Sequence, residues 1–315
     1  MYSNEAIAAF LPRSSAVDSS WLYHVLPRAS ATVVTDSAVK GVTLNKAKMA
    51  EMTVLLPSPR EQQTIANILD TLDTTIHQTE AIIEKLKQVK QALLHDLLTR
   101  GIDANGELRP PQSQAPHLYK DSPLGWIPCE WSPVQIGKLA ALQRGHDIVE
   151  ANFVPGAFPV ISSSGVIGHH NIATSRGPNV VVGRKGSIGT VHYVASDFWA
   201  HDTSLFVTNF FGNDVRFVYH LFDYLDLGRF GTKSGSPSLN RNDVHPLIVG
   251  RPTIDEQSRV VEAITAYETA AHGESRKVAK LKTLKSGLMD DLLTGRVRVT
   301  PLLQGSGQSP SEGNT

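Results

Sequence analysis

The sequence predicts an α+β fold: one globular module of short strands, together with two long helices paired as an antiparallel coiled coil. Two observations carry this reading. A stretch of chain recurs at a fixed offset with a helical apolar period, and between the two copies the pattern changes to short apolar runs punctuated by glycine. Composition admits such a fold. At 41% hydrophobic and 19% charged, 315 residues are too apolar and too mixed for wholesale disorder, and their length suggests roughly two domains.

Residues 57–99 align without a gap to residues 252–294 at an offset of 195, with 14 of 43 positions identical, too many for chance. The matches include Pro57/Pro252, Glu61/Glu256, Gln62/Gln257, Lys90/Lys285 and a closing Asp-Leu-Leu-Thr at 96–99 and 291–294. The same offset pairs Leu44-Asn45 with Leu239-Asn240, and one residue of slip pairs Tyr23-His24 with Tyr219-His220. The repeat therefore starts upstream of the helix. If one unit is a globular module followed by a helix, the second copy is complete and residues 1–50 hold only the end of a first module. A full-length relative is then expected to need roughly a hundred or more residues ahead of Met1.

Apolar residues in the first copy fall at steps of three and four: Ile65, Leu69, Leu72, Ile76, Ile83, Leu86, Leu93 and Leu97. In the second copy the seam is Val260, Ile264, Tyr267, Val278, Leu281, Leu288 and Leu292. This spacing predicts helices over 57–100 and 252–296 with a coiled-coil face, each needing a partner, and the other copy is the simplest one. Polar residues interrupt both seams at Thr79/Glu274 and Lys90/Lys285, where they either fix register or, for lysine, carry the ammonium out to water. Gly273 is expected to bend its helix, admit a close contact, or merely destabilise it mildly. Prolines 57, 59 and 252 and the Glu-Gln pairs suit helix starts, where a carboxylate favours the free amides.

Residues 101–125, rich in Gly, Pro, Ser, Gln and Asn, read as a linker, and residues 304–315 as a disordered tail. Residues 126–250 form the complete module. Strands are expected at 158–161, 179–182, 189–194 and 203–207, and a short helix at 215–228. Its most distinctive turn is Gly183-Arg184-Lys185-Gly186-Ser187-Ile188-Gly189-Thr190. That order does not match a nucleotide phosphate loop, because Lys185 precedes the central glycine. Two readings remain: a structural hairpin, or a tight turn that presents two cations and several amides to a DNA phosphate or base edge. Arg144, Arg176, Arg184, Lys185, Arg229 and Lys233 are the available donors, whereas Phe158, Tyr193, Phe198 and Trp199 read as core.

Other classes find little support. One cysteine, Cys129, excludes a disulfide framework and any four-cysteine metal site. His169, His170, His192 and His201 lack zinc-ligand spacing, so no metal or other cofactor is expected. No nucleophile elbow, paired-carboxylate signature, dinucleotide fingerprint or nuclease-like cluster stands out, which argues against an enzyme. No apolar run reaches the roughly 18 residues of a membrane span, and no secretory signal opens the chain, so a cytoplasmic protein is expected. The 30 basic and 30 acidic residues argue against a broadly basic surface but leave room for a local DNA-facing patch.

Taken together, several segments resemble the specificity subunit of type I restriction-modification systems. They are Leu124-Gly125-Trp126-Ile127-Pro128 with Trp131, the turn at 183–189, Gly235-Ser236-Pro237-Ser238-Leu239-Asn240, and the Pro-x-x-x-Glu-Gln approach to each long helix. The likeness covers nearly the whole chain. It implies a target-recognition domain at 126–250, spacer helices at 57–100 and 252–296, and the remnant of a first recognition domain at 1–50. It also implies a non-catalytic subunit that binds double-stranded DNA and methyltransferase subunits, with motor-nuclease subunits joining the complex. With one complete recognition domain the chain can read one half of a split target. It is then a half-subunit that pairs as a homodimer, or an inactive remnant or coiled-coil scaffold without sequence-specific binding. Replacing Arg184 and Lys185 together by Ala is expected to weaken DNA binding by the assembled complex; unchanged affinity and specificity in a titration with labelled duplex would refute this.

Overall fold

A computed structural model describes residues 9–31, 36–38, 41–43, 46–231 and 237–305, with no side-chain account for 32–47 and 303–305. Lys233 and all but the first two residues of the expected tail lie outside the described residues. In chain order the elements are α1 (Ser19–Ala31), β1 (Asp36–Ala38), β2 (Gly41–Thr43), α2 (Lys46–Ala50), α3 (Pro59–Thr99), β3 (Tyr119–Lys120), β4 (Ile127–Pro128), β5 (Ser132–Gln135), α4 (Ile136–Leu139) and β6 (Ala141–Arg144). There follow β7 (Phe158–Ser162), β8 (Gly165–His170), β9 (Asn179–Gly183), β10 (Val191–Val194), β11 (Trp199–Ala200), β12 (Ser204–Asn209), α5 (Val215–Leu225), α6 (Arg241–Val244), β13 (Ile248–Arg251), α7 (Ile254–Leu292) and α8 (Thr300–Gly305). Among the described residues no helix is long and apolar enough to cross a membrane.

The chain divides into two compact units, one of Met1–Lys85 with Ala271–Thr315 and one of Leu86–Ala270, so each long helix contributes a part to each. None of the fifteen seam residues named above is exposed. In the first unit Lys285 Nζ reaches Asp73 Oδ1 at 2.5 Å and Lys282 Nζ reaches Glu80 Oε1 at 2.7 Å. Residue numbers fall on one helix as they rise on the other, so the two run antiparallel there. In the second unit Lys90 Nζ donates to Glu268 Oε1 at 2.6 Å and the Ile102 amide, just past α3, to Glu256 Oε1, so the pairing is antiparallel there too. Lys90 and Lys285 are repeat equivalents, and so are Asp73 and Glu268. The polar interruptions at the lysines are thus ion pairs across the seam. Thr79 instead returns its hydroxyl to the Thr75 carbonyl at 2.7 Å, and Gly273 has open space where a Cβ would sit, within an unbroken helix.

The first unit begins α3 with a capping box: Ser58 Oγ and its amide both donate to Glu61 Oε2, at 2.9 and 3.2 Å, with Pro59 at the first helical position. Glu61 also accepts from Arg298 Nε at 2.9 Å and Thr300 Oγ1 at 3.1 Å. The Arg298 contact first, then Ser58, pulls its carboxyl down to about 2, so it is charged at neutral pH. Gln62 is buried, donating to the Ala16 and Pro57 carbonyls and accepting from the Asp18 amide at 2.8 Å. Asp18 in turn caps α1 through the Trp21 amide. Trp21 and Val25 of α1 pack on Ile65, Ala66 and Leu69 of α3, on Leu292 of α7 and on Leu293 just past it.

The second unit repeats these devices around a larger core. Gln257 accepts from the Asp214 amide at 2.9 Å and donates to Asn213 Oδ1 and the Pro252 carbonyl; Asp214 caps α5 through the Phe217 amide. Phe217, Val218, Leu221 and Phe222 of α5 pack with Leu94, Leu97, Val260 and Ile264 of the long helices and with Val180 and Val182 of β9. Strand β9 belongs to a four-stranded antiparallel sheet of order β10-β9-β12-β6. Its opposite face, Val181, joins Phe206 of β12 in a second cluster with Ile161 of β7, Phe198 and Ala200, beside the three-stranded sheet β11-β7-β8. With both faces covered, β9 reads as an unbroken apolar run rather than an alternation.

Residues 101–125 carry buried Ile102, Arg109, Ala115 and Tyr119. Arg109 bonds both oxygens of the fully buried Glu256 in the first turn of α7, through Nη1 to Oε1 and through Nη2 to Oε2 at 3.1 Å. Trp131 Nε1 donates to Oε2 at 3.0 Å and the Ile102 amide to Oε1 at 2.9 Å. Replacing Glu256 by Ala leaves the buried guanidinium only Glu130 Oε2 and the Arg100 carbonyl as partners, and is expected to cost about 3 kcal/mol. Removing the exposed Lys282–Glu80 pair should cost no more than about 1 kcal/mol. Urea unfolding with hydrogen exchange of the Ile102 amide measures both, and equal effects would refute the ranking.

Candidate nucleic-acid interface

Strand β6 lies at the edge of the four-stranded sheet, where Arg144 sits opposite Leu205 of β12. Beyond β6 the chain crosses closely over residues 200–201: a Cβ on Gly145 would lie 2.2 Å from the His201 carbonyl oxygen, so only glycine fits. The His146 amide donates to the Ala200 carbonyl at 2.7 Å. This crossing opens a cavity of about 1020 Å³ lined by residues 143–147, Arg184, Trp199, Leu205 and residues 238–241.

Its walls are polar and cationic. Arg144 is 54% exposed in its side chain, and its Nη2 donates to Asp202 Oδ2 at 2.8 Å. Arg184 Nη1 donates to the Asp202 main-chain carbonyl at 3.2 Å. Arg241 opens α6 one residue after Asn240, whose side chain caps that short helix by accepting from the Asn242 amide. Trp199 donates through Nε1 to the His146 carbonyl at 3.2 Å, and the two rings meet edge to face. Three guanidiniums against Asp147 and Asp202 make a local positive site on a module that is neutral as a whole.

The 183–190 turn contributes side chains rather than amides. The Arg184 and Lys185 amides both donate to the Thr203 carbonyl, at 2.8 and 3.0 Å, and those of Gly183, Ile188 and Gly189 bond within the turn. These five amides are spent inside the protein and cannot face a phosphate. Gly189, at φ +80°, lets the turn lie against Gly228, where a Cβ would come within 2.2 Å of an amide nitrogen. Of the basic residues singled out from sequence, Arg144 and Arg184 line the cavity. Lys185, Arg176 and Arg229 do not, and Arg229 stacks on Phe230 at 4.8 Å. Phe198 is core, but Trp199, also read as core, lines the cavity.

Sequence reasoning missed Gln143, His146, Asp202 and Arg241. They come from separated stretches with no shared spacing, and only the Ser238-Leu239-Asn240 segment beside Arg241 was marked. Among the described residues no group of three or more His, Cys, Asp or Glu side chains gathers as a metal site would require.

Behind the cavity, His245 Nε2 accepts from the Leu142 amide of β6 at 2.9 Å. Burial, then the nearby Arg241 charge, holds its pKa below the usual histidine value. Protonation would turn that acceptor into a donor. The stabilisation is full above about pH 6.5 and is lost as pH falls toward the depressed pKa. The Leu142 amide, corrected for intrinsic exchange, should thus lose protection below about pH 6.5; a pH-independent protection factor would refute the assignment.

A family model described as the type I restriction modification DNA specificity domain matches residues 2–88. The chain is 20% identical over 283 residues to the putative type I restriction enzyme MjaX specificity subunit of Methanocaldococcus jannaschii, covering 83% of this chain and 63% of that protein. It is 27% identical over 140 residues to the type I restriction enzyme EcoDI specificity subunit of Escherichia coli, covering 39% and 31%. It thus spans less than two thirds of either relative. Among solved structures, the S subunit of a type I restriction-modification system from M. genitalium superposes with a TM-score of 0.57 at 15% identity, over 89% of this chain and 73% of that one. That likeness concerns the fold.

Proposed function

We propose that this chain, similar to type I restriction-modification specificity subunits, is a non-catalytic DNA-specificity subunit reading one half of a split target. The observation that carries this is the cavity beside β6, where Arg144, Arg184 and Arg241 converge. Arginine forks suit both phosphate oxygens and the guanine edge in the major groove. Residues 126–250 act as the target-recognition domain, and residues 1–50 as the end of a first one.

In this reading the helices at 57–100 and 252–296 form the coiled-coil spacer, and their outer faces hold methyltransferase subunits. Motor-nuclease subunits join through the complex in the cytoplasm. Two copies of the chain supply two recognition domains as a homodimer, so the target is a symmetric split sequence.

Methylome sequencing of cells carrying the chain with its methyltransferase subunit is expected to show adenine methylation at one split motif that disappears when the chain is deleted. Methylation that ignores the chain, with the two proteins still co-purifying, would instead make it a protein-binding scaffold.

A further inference from the structure

The cavity holds an asymmetry that reaches beyond a general attraction for DNA. Arg184 and Arg144 each hold one acceptor on Asp202, but Arg184 is half-buried whereas Arg144 stands half out of the surface, held at a single terminal nitrogen. The contact leaves its other terminal nitrogen and most of its fork unoccupied.

The chain on either side of Asp202 is fixed from several directions, and its Oδ1 lies 3.4 Å from His201 Nδ1. The His201 amide donates to the Ile161 carbonyl at 2.9 Å, and the Ser204 amide to the His201 carbonyl at 3.0 Å. The His201 ring bonds Thr203 Oγ1 at 2.7 Å through Nδ1 and the Ile148 carbonyl at 3.2 Å through Nε2. The Thr203 carbonyl is clamped by the Arg184 and Lys185 amides. Asp202 is only 17% exposed, so its carboxylate has little freedom to reorient. A flexible arginine anchored by one buried-side contact to a rigid carboxylate loses less freedom on binding a planar partner.

We infer that Arg144 is the guanine-reading residue of this half-site and that Asp202 is the positioning residue that aims its fork. The inference rests on the DNA-specificity reading above and deepens it to one base pair and one pair of side chains. Guanine offers two acceptors, N7 and O6, in the major groove, matching two parallel N–H donors of one guanidinium. A phosphate would bring a second anion beside the Asp202 carboxylate, whereas N7 and O6 are neutral acceptors.

The test uses the complex of the full chain with its methyltransferase subunit, acting on a pool of duplexes randomised across the half-site, with methylation read position by position. Arg144→Lys keeps the charge and loses the fork. It is expected to lower the preference for G·C at one position on the order of tenfold or more, with the other positions and the salt dependence of binding unchanged. Asp202→Asn, which keeps the shape and loses the charge, is expected to relax the same position in the same direction with less effect. Asp202→Glu, which keeps the charge, is expected to retain more of the preference at that position than Asp202→Asn.

If Arg144→Lys leaves every position unchanged, the reading of guanine is overturned. If Asp202→Asn lowers activity uniformly without relaxing that position, Asp202 is structural and its positioning role is overturned. A melting temperature near wild type excludes misfolding for each variant, and Arg144→Lys, at an exposed side chain, keeps the test decisive if Asp202→Asn unfolds. A wild-type complex with no sequence preference at all would overturn the DNA-specificity reading itself, and the inference with it.

Discussion

Glu256 has no exposure to solvent, and a carboxylate so placed must be paired on both oxygens or lose its charge. Its donors come from three stretches of chain: the Ile102 amide just after α3, the Arg109 guanidinium, and the Trp131 indole immediately before β5. One side chain in the first turn of α7 thereby fastens the end of α3, the stretch that follows it, and the start of the strand module. Strand β13 pairs with β5 and runs directly into α7, so the same fastening sets where the module joins its helix. The cavity beside β6 is built on that module, and its geometry depends on a frame closed by a buried ion pair.

The first unit solves the same problem with different donors. Glu61, the repeat equivalent of Glu256, takes Arg298 and Thr300 from the stretch after α7, and Ser58 occupies the oxygen that Trp131 takes on Glu256. Gln62 and Gln257 each hold the chain before a capping aspartate, Asp18 or Asp214. Equivalent lysines, Lys90 and Lys285, meet equivalent carboxylates, Glu268 and Asp73. Such half-buried pairs add little net stability, on the order of 0–1 kcal/mol, but a shift of one helix by a turn would break both and bury unpaired charge.

Much of this was legible beforehand because it is periodic. A seam of three- and four-residue steps needs no knowledge of distant contacts, and α3 and α7 span 59–99 and 254–292 within the stretches expected from it. Strands β7, β9 and β12 were visible as apolar runs bounded by turn residues, since local chemistry and global burial agree there. The stretch 101–125 was read as a linker because composition counts apolar side chains. Within it an arginine meets a glutamate 147 residues away and Ile102, Ala115 and Tyr119 are buried, and composition cannot register that.

By itself, then, the sequence determined the repeat, the helical seam, the class of the module and the presence of cations in its turns, all of which depend on neighbours a few residues apart. Only the tertiary structure decided which cations line one cavity. Arg144, Arg184 and Arg241 share one cavity because β6 pairs with β12, because Gly145 lets the chain cross residues 200–201, and because residues 238–241 close the opposite wall. Lys185, next to Arg184 in the chain, is left outside it. The physical reason is that a site of this kind is a convergence of directions, and directions are set by strand pairing and close backbone approach rather than by spacing along the chain.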